Sequence, residues 1–208
     1  MAHPQTLGVV LAGGLARRMG GGDKASIRIG GTTVLDRVIE RLKPQCARVI
    51  LNVNADPERF AATGLPVVAD SVPVHPGPLA GILAGLDWAA KQTDAIDWIV
   101  SVPSDCPFLP HDLIARLHQA RIDSGAALAC ASSGARTHPV VGLWPQTLRE
   151  DLRHALTQEG VRKVGAWTTR YRVAIAEWPA APVDPFFNIN TPEQAAEAQR
   201  LSARFPDA

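Results

Sequence analysis

An apolar run that ends in a glycine-rich, basic loop constrains this chain more than any other feature. Leu7–Leu11 reads as a buried strand, and it leads directly into LAGGLARRMGGGDKAS at Leu11–Ser26. Gly13, Gly14, Gly20, Gly21 and Gly22 would let main-chain N–H groups approach an anion, because no Cβ stands in the way. Arg17, Arg18 and Lys24 place positive charge where a polyphosphate would lie. Neither common phosphate loop is present: the order G-x-x-x-x-G-K-[ST] is missing, and no G-x-G-x-x-G opens a helix. A surface loop with incidental charge is the alternative reading, and the strand that runs into LAGG argues against it.

Composition narrows the class. The 208 residues suit one domain with a real core, 46% of them apolar and 20% charged. A net charge of +1 leaves no general field for nucleic acid or a membrane surface, so any basic function must be local. Cys46, Cys106 and Cys130 are far apart and odd in number, which gives neither zinc spacing nor a disulfide framework and implies a reducing compartment. MAHPQT is no charged leader with an apolar core, and no apolar run approaches the ~18 residues of a membrane helix. A soluble, cytoplasmic protein is expected.

Strands and helices alternate through the first half. Thr32–Lys43 has helical spacing with Pro44 as a stop; Arg48–Val53 and Val67–Ala69 read as strands, Pro78–Ala90 as a helix, and Ile96–Val102 as a central strand. His111–Arg121 follows as a helix, Ala126–Ala131 and Thr137–Leu143 as strands joined by a turn at Ser132–Gly134, then helices at Pro145–Leu156 and Gly160–Trp167 and a strand at Tyr171–Ala176. Val183–Asn190 is extended, and Thr191 caps a last helix to about Arg200, with Pro192 in its first turn. The pattern predicts an α/β fold: three α/β/α layers around a mostly parallel, Rossmann-like central sheet.

Several polar and glycine positions fall where an open α/β sheet places ligands. Asn52 sits near a strand end, as a ligand group or a plain turn residue. Asp70 opens DSVPVHPGPLAG, where Gly77 and Gly81 either leave a flat surface for a base or serve close packing; for Gly85, packing is preferred. Asp105 stands between Pro103 and Pro107 at the end of the central strand, a good place for a metal ligand, and helix capping is the alternative. Cys106 beside it reads as a small apolar filler. Asn188 and Asn190 are turn residues or ligands. Aromatic residues make up only 5% of the chain and none lies in either glycine loop, so a flat base lying there is not expected to stack on a ring; a leucine at Gly81 is expected to fit the backbone and fill that surface.

Four motifs together, LAGG-x-x-R-R-M-G-G-x-D-K, D-S-x(5)-G-P-L-A-G, P-x-D-x-P and N-x-N-T-P-E, resemble the bacterial molybdenum cofactor guanylyltransferase family, within the GT-A-like nucleotidyltransferase superfamily. The resemblance spans Leu7 to about Arg200. It implies a single nucleotidyltransferase domain over residues 1–208, with residues 7–109 binding the nucleotide and residues 110–200 the acceptor. The main chain of Leu11, Ala12 and Gly13 would contact GTP, Arg17 and Lys24 would hold its phosphates, and Asn52, Asp70, Gly77 and Gly81 would shape the nucleoside pocket. Asp105 would bind Mg²⁺, with Asn188 and Asn190 near the metal and the acceptor phosphate. Lys24, Asp105 and Arg17 are thus the implied catalytic set. The implied partners are GTP and Mo-molybdopterin, with a molybdenum insertion protein and apo-molybdoenzymes beyond them, and no nucleic acid or membrane. The rival readings are a cytidylyltransferase for the same pterin, a sugar-1-phosphate nucleotidyltransferase, and a non-catalytic adaptor that delivers the cofactor.

Overall fold

The first strand, β1 (Thr6–Leu11), is buried along nearly its whole length and lies between two parallel neighbours, β4 (Arg48–Asn52) and β6 (Trp98–Pro103). The computed structural model describes residues 3–13, 27–73 and 77–206. Among them, β5 (Val67–Val68) extends the sheet beyond β4, while β8 (Arg136–Pro145), β7 (Leu128–Ser133) and β9 (Val173–Trp178) extend it beyond β6. The resulting seven-stranded order is β5-β4-β1-β6-β8-β7-β9. All pairings are parallel except those of β8, which runs antiparallel to both β6 and β7. The expected α/β/α architecture with a mostly parallel sheet is what the chain adopts.

Side-chain alternation along the strands sorts the core into two layers. Val10, Val100 and Val102 join Leu35, Val38 and Leu42 of α1 (Val34–Leu42) and Leu113, Ile114 and Leu117 of α3 (Leu113–Ser124). Leu7, Val9 and Ile99 face the other way, against α2 (Pro78–Ala90), α4 (Arg149–Thr157) and the short α5 (Val164–Thr168). Helix α2 is apolar almost all round and correspondingly buried. Gly85 lets it settle on the sheet: a Cβ there would meet Val9 Cγ2 at 2.5 Å and Ile99 Cδ1 at 3.1 Å. The packing role expected of Gly85 is the one it has.

Local signals set most boundaries. The Thr33 hydroxyl accepts the Asp36 N–H and starts α1. Thr191 and Gln194 form a reciprocal capping box that starts α6 (Pro192–Arg204), which packs on a small hairpin, β2 (Arg28–Ile29) with β3 (Thr32–Thr33). That hairpin was not foreseen in the sequence. Strand β7 runs two residues later than expected, and the turn falls at Gly134–Ala135, both with positive φ. Ser132 and Ser133 pass for turn residues by type, yet they pair with both neighbouring strands. Helix α3 likewise runs on to Gly125, whose left-handed backbone ends it, and Pro145 closes β8 instead of opening α4. At the β9 margin Arg116 lies over the Trp178 ring and donates to the Glu177 carbonyl.

One buried polar contact has a consequence for acid stability. Thr6 donates its hydroxyl proton to Pro4 O at 2.9 Å, so its Oγ1 accepts from His118 Nε2, also at 2.9 Å. His118 is 1% exposed, and its Nδ1 has no hydrogen-bond partner among the described residues. Its ring faces those of His3 and Trp98, with Arg121 over Trp98. Protonation would bury an unpaired charge, so burial, reinforced by His3 and Arg121, pushes the His118 pKa down to about 4 from 6.5. The unfolded chain then binds the extra proton between those values, and unfolding free energy should fall across this window as pH drops, by up to roughly 3 kcal/mol from this group. Denaturant titrations of wild type and His118→Gln at pH 7 and 4.5 test this: the variant should lose less stability on acidification, and equal losses would refute it.

Candidate functional site

The parallel ladder does not stop at the strand ends. Ala12 N–H donates to Asn52 O at 2.8 Å, and Ser104 N–H donates to Leu11 O at 3.1 Å. These two bonds clamp the loops after β1, β4 and β6 side by side at the carboxyl edge of the sheet, where open α/β sheets bind ligands. Ala12 is buried and Gly13 exposed, with no atom of the described residues within 4 Å of where its Cβ would stand. Arg17 and Lys24 lie outside the described residues.

Beside this clamp, Asn52 and Asp70 meet. Asn52 is 4% exposed, and its Nδ2 donates to Val68 O at 3.1 Å and to Asp70 Oδ1 at 2.9 Å. Asn54, which sequence reasoning missed, completes the arrangement: its Nδ2 donates to Asp70 Oδ2 at 2.6 Å, and its Oδ1 accepts the Asp70 N–H at 2.8 Å. Both Asp70 carboxylate oxygens are thereby engaged. Gly81 is buried under Asn52. A Cβ on Gly81 would come within 2.6 Å of Leu11 Cδ2 and 2.9 Å of Asn52 Cγ, and nearer still to Asn52 Oδ1. The expectation that leucine would fit here is therefore corrected: Gly81 opens the space that Asn52 fills. Gly77 is different. It is exposed at the start of α2, and a Cβ there would stand an ordinary 3.8 Å from the Arg162 carbonyl.

On the other side of β1, Asp105 follows β6 and is half-buried. The segment before α6 comes to it: Ile189 N–H donates to Asp105 O at 3.0 Å, and Asn188 Nδ2 donates to Asp105 Oδ1 at 3.2 Å. Cys106 donates its thiol proton to Asn188 Oδ1 at 3.2 Å, which turns the amide's N–H side toward Asp105. Burial, together with the Asp105 and Asp184 charges, pushes the Cys106 pKa well above its ordinary value, so it stays a thiol and a donor. It is both the buried filler expected and an orienting contact. Asn190 is exposed, and its N–H goes to Gln194 Oε1 at 2.7 Å. Upstream, Asp184 Oδ1 accepts the Ser133 hydroxyl at 2.7 Å and the Phe186 N–H at 2.9 Å. Ser133 and Asp184 were not singled out in the sequence.

The chain compares closely with proteins of known family. The profile of the MobA-like NTP transferase domain matches residues 8–173. The chain is 60% identical over 200 residues to a molybdenum cofactor guanylyltransferase of Nitrobacter hamburgensis, covering 96% of both proteins. It belongs to the molybdenum cofactor guanylyltransferase family. A second member, from Rhodopseudomonas palustris, is 58% identical over 202 residues, or 97% of this chain and 96% of that one. Among solved structures, the molybdopterin-guanine dinucleotide biosynthesis protein A of Archaeoglobus fulgidus superposes with a TM-score of 0.74 at 20% identity, covering 96% of this chain and all of that one. A 4-diphosphocytidyl-2C-methyl-D-erythritol synthase of Anaerococcus prevotii reaches 0.72 at 13% identity, with 97% of each chain covered. The fold is thus shared by this guanylyltransferase family and by a protein named for a cytidyl product, and fold alone does not choose the base.

The crowding at Gly81 is testable. Gly81→Ala should destabilise the protein by roughly 1–3 kcal/mol, the usual range for overpacking. Combining it with Asn52→Gly should recover part of that loss, because the clash and its partner vanish together. Additive losses in the double-mutant cycle would place the strain elsewhere.

Proposed function

We propose that this chain transfers GMP from GTP to the terminal phosphate of Mo-molybdopterin, forming the guanine dinucleotide cofactor and releasing pyrophosphate. The observation that carries this reading is the 60% identity to a molybdenum cofactor guanylyltransferase over 96% of both chains. The geometry supports it. The main-chain clamp joins the two sides of β1, with the Asn52–Asp70–Asn54 cluster on its β4 side and Asp105 and Asn188 on its β6 side, so nucleotide and acceptor would meet between them. Residues 7–109 would serve the nucleotide and residues 110–200 the acceptor.

In this reading the main chain of Leu11, Ala12 and Gly13 approaches the guanosine, and Asn52, Asp70 and Gly77 wall the nucleoside pocket. Gly81 acts through the Asn52 side chain it seats. Arg17 and Lys24 hold the phosphates. The acceptor phosphate is an anion at neutral pH, with a second pKa near ~6, so attack at the α-phosphorus needs alignment and charge compensation more than a base. Mg²⁺ is the implied cofactor, and the donor chemistry fits it. Asp105 is a hard carboxylate, and Mg²⁺ is commonly held by one or two carboxylates together with waters and substrate phosphates. Among the described residues no cluster of three or more His, Cys, Asp or Glu offers another metal a cage. When bound at Asp105, the ion would compensate charge on the α-phosphate and the leaving pyrophosphate. Asn188 would orient the Asp105 carboxylate, and Asn190 would lie toward the acceptor. No helix among the described residues is long and apolar enough to cross a membrane. A cytoplasmic setting, with a molybdenum insertion protein and apo-molybdoenzymes downstream, follows from the same reading.

Pyrophosphate release with molybdopterin, measured with GTP against CTP, decides between this function and its rivals. GTP should be strongly preferred, and binding without release would identify an adaptor. Asp105→Ala should abolish Mg²⁺-dependent turnover in a folded protein. A residual rate above about a tenth of wild type, only ~1.4 kcal/mol of barrier, would overturn the metal assignment. Lys24→Ala should lower kcat by roughly 10²–10³, by analogy with loss of one transition-state donor, with little change in melting temperature. Normal kinetics in a destabilised variant would make Lys24 structural.

A further inference from the structure

His138 lies where the irregularity of the sheet is greatest. In the β7–β8 pairing Cys130 is opposite Gly142, but the next residue, Ala131, is opposite His138, so Pro139, Val140 and Val141 bulge out of the ladder. The Val140 carbonyl, freed from the ladder, accepts the Ser101 hydroxyl at 2.6 Å. Bulges of this kind redirect a side chain, and they concentrate beside active sites. Strand order places this one. Along the carboxyl edge come Asn52 at the end of β4, Leu11 at the end of β1, Asp105 after β6, and then His138 near the start of β8, with Ser133 at the end of β7. Asp105 is thus flanked by the proposed nucleotide side on one hand and by His138 on the other. The His138 ring packs on Phe186 at 4.8 Å, two residues before Asn188.

The partners of Ser133 fix the His138 tautomer. The Ser133 hydroxyl has one proton, and that proton goes to Asp184, since a carboxylate cannot donate. Ser133 Oγ therefore accepts from His138 Nε2–H at 2.8 Å. Burial pushes the His138 pKa below its ordinary value, so the ring is neutral at pH 7. Its Nδ1 then carries no proton and is left as an acceptor, since the hydrogen bond the ring makes among the described residues is the Nε2 bond to Ser133. A bare acceptor suits an N–H group and repels a phosphate.

We propose that His138, locked by Ser133 and Asp184 as its Nε2–H tautomer, accepts a hydrogen bond at Nδ1 from an N–H of the acceptor's pterin ring and so helps select the second substrate. This rests on the guanylyltransferase reading. In a pyrophosphate-release assay, His138→Phe should raise KM for molybdopterin roughly tenfold, the loss of about one hydrogen bond, with KM for GTP unchanged. His138→Asn, whose amide oxygen falls near the former Nδ1, should recover most of the loss. Imidazole ¹⁵N spectra of the wild type, assigned against His138→Asn, should show Nε2 protonated and a shift of Nδ1 on adding molybdopterin. Ser133→Ala should mix the tautomers. An unchanged KM for molybdopterin, a parallel rise for both substrates, or an Nδ1 signal indifferent to saturating molybdopterin would each overturn the proposal. The Nδ1 signal decides the case even if His138→Phe does not fold. Failure of wild type to transfer GMP at all would instead undo the guanylyltransferase reading.

Discussion

Two main-chain hydrogen bonds past the end of β1 hold the candidate site together. Ala12 to Asn52 and Leu11 to Ser104 extend the parallel register by one step into what would otherwise be three independent loops. Main-chain bonds of this kind depend on register and not on side-chain identity, so they are as firm as the central strands from which they extend. Everything polar at the carboxyl edge inherits that rigidity. Asn52 is placed by its strand before its amide makes a contact, and Asp105 begins one residue beyond a bonded N–H. A rigid frame under short side chains is what close alignment of two anionic substrates requires.

Small residues then decide how near the layers come. Gly85 brings α2 onto Val9 and Ile99, and Gly81, one helical turn earlier, makes room for Asn52 and Leu11. The same helix face thus does two things along its length: deep in the core it closes on apolar side chains, and toward the edge it admits a polar one. Asn52 has its amide nitrogen satisfied by Val68 O and Asp70, which is how a nearly fully buried amide is tolerated.

Much of this was legible in the sequence. The apolar runs at β1, β4 and β6 are long enough to be central strands, and alternation with α1 and α2 implies the parallel sheet. Asp105, Asn52 and Asp70 are legible because strand ends in such sheets are predictable places. The second half was harder to read. Ser132 and Ser133 look like a turn, and only pairing on both sides makes them strand. The roles of Asn54, Ser133 and Asp184 come from partners as far as 51 residues away in the chain, which no local pattern encodes. His138 had one overlooked signal: Pro139 inside an otherwise regular strand, which marks a place where the ladder must break.

The Arg116 contact at the far margin of the sheet bears on what that edge can pair with. Among the described residues strand β9 has a neighbour on one side only, and Ile175 on it is 48% exposed. An open edge with an apolar residue at its middle is a template on which a strand from another molecule can grow. Arg116, anchored over Trp178, occupies the carbonyl of Glu177 and sets a charged side chain across that margin. Arg116 thus blunts the Glu177 end of this margin against strand addition, one of the ways in which an open sheet edge is protected by a charged side chain.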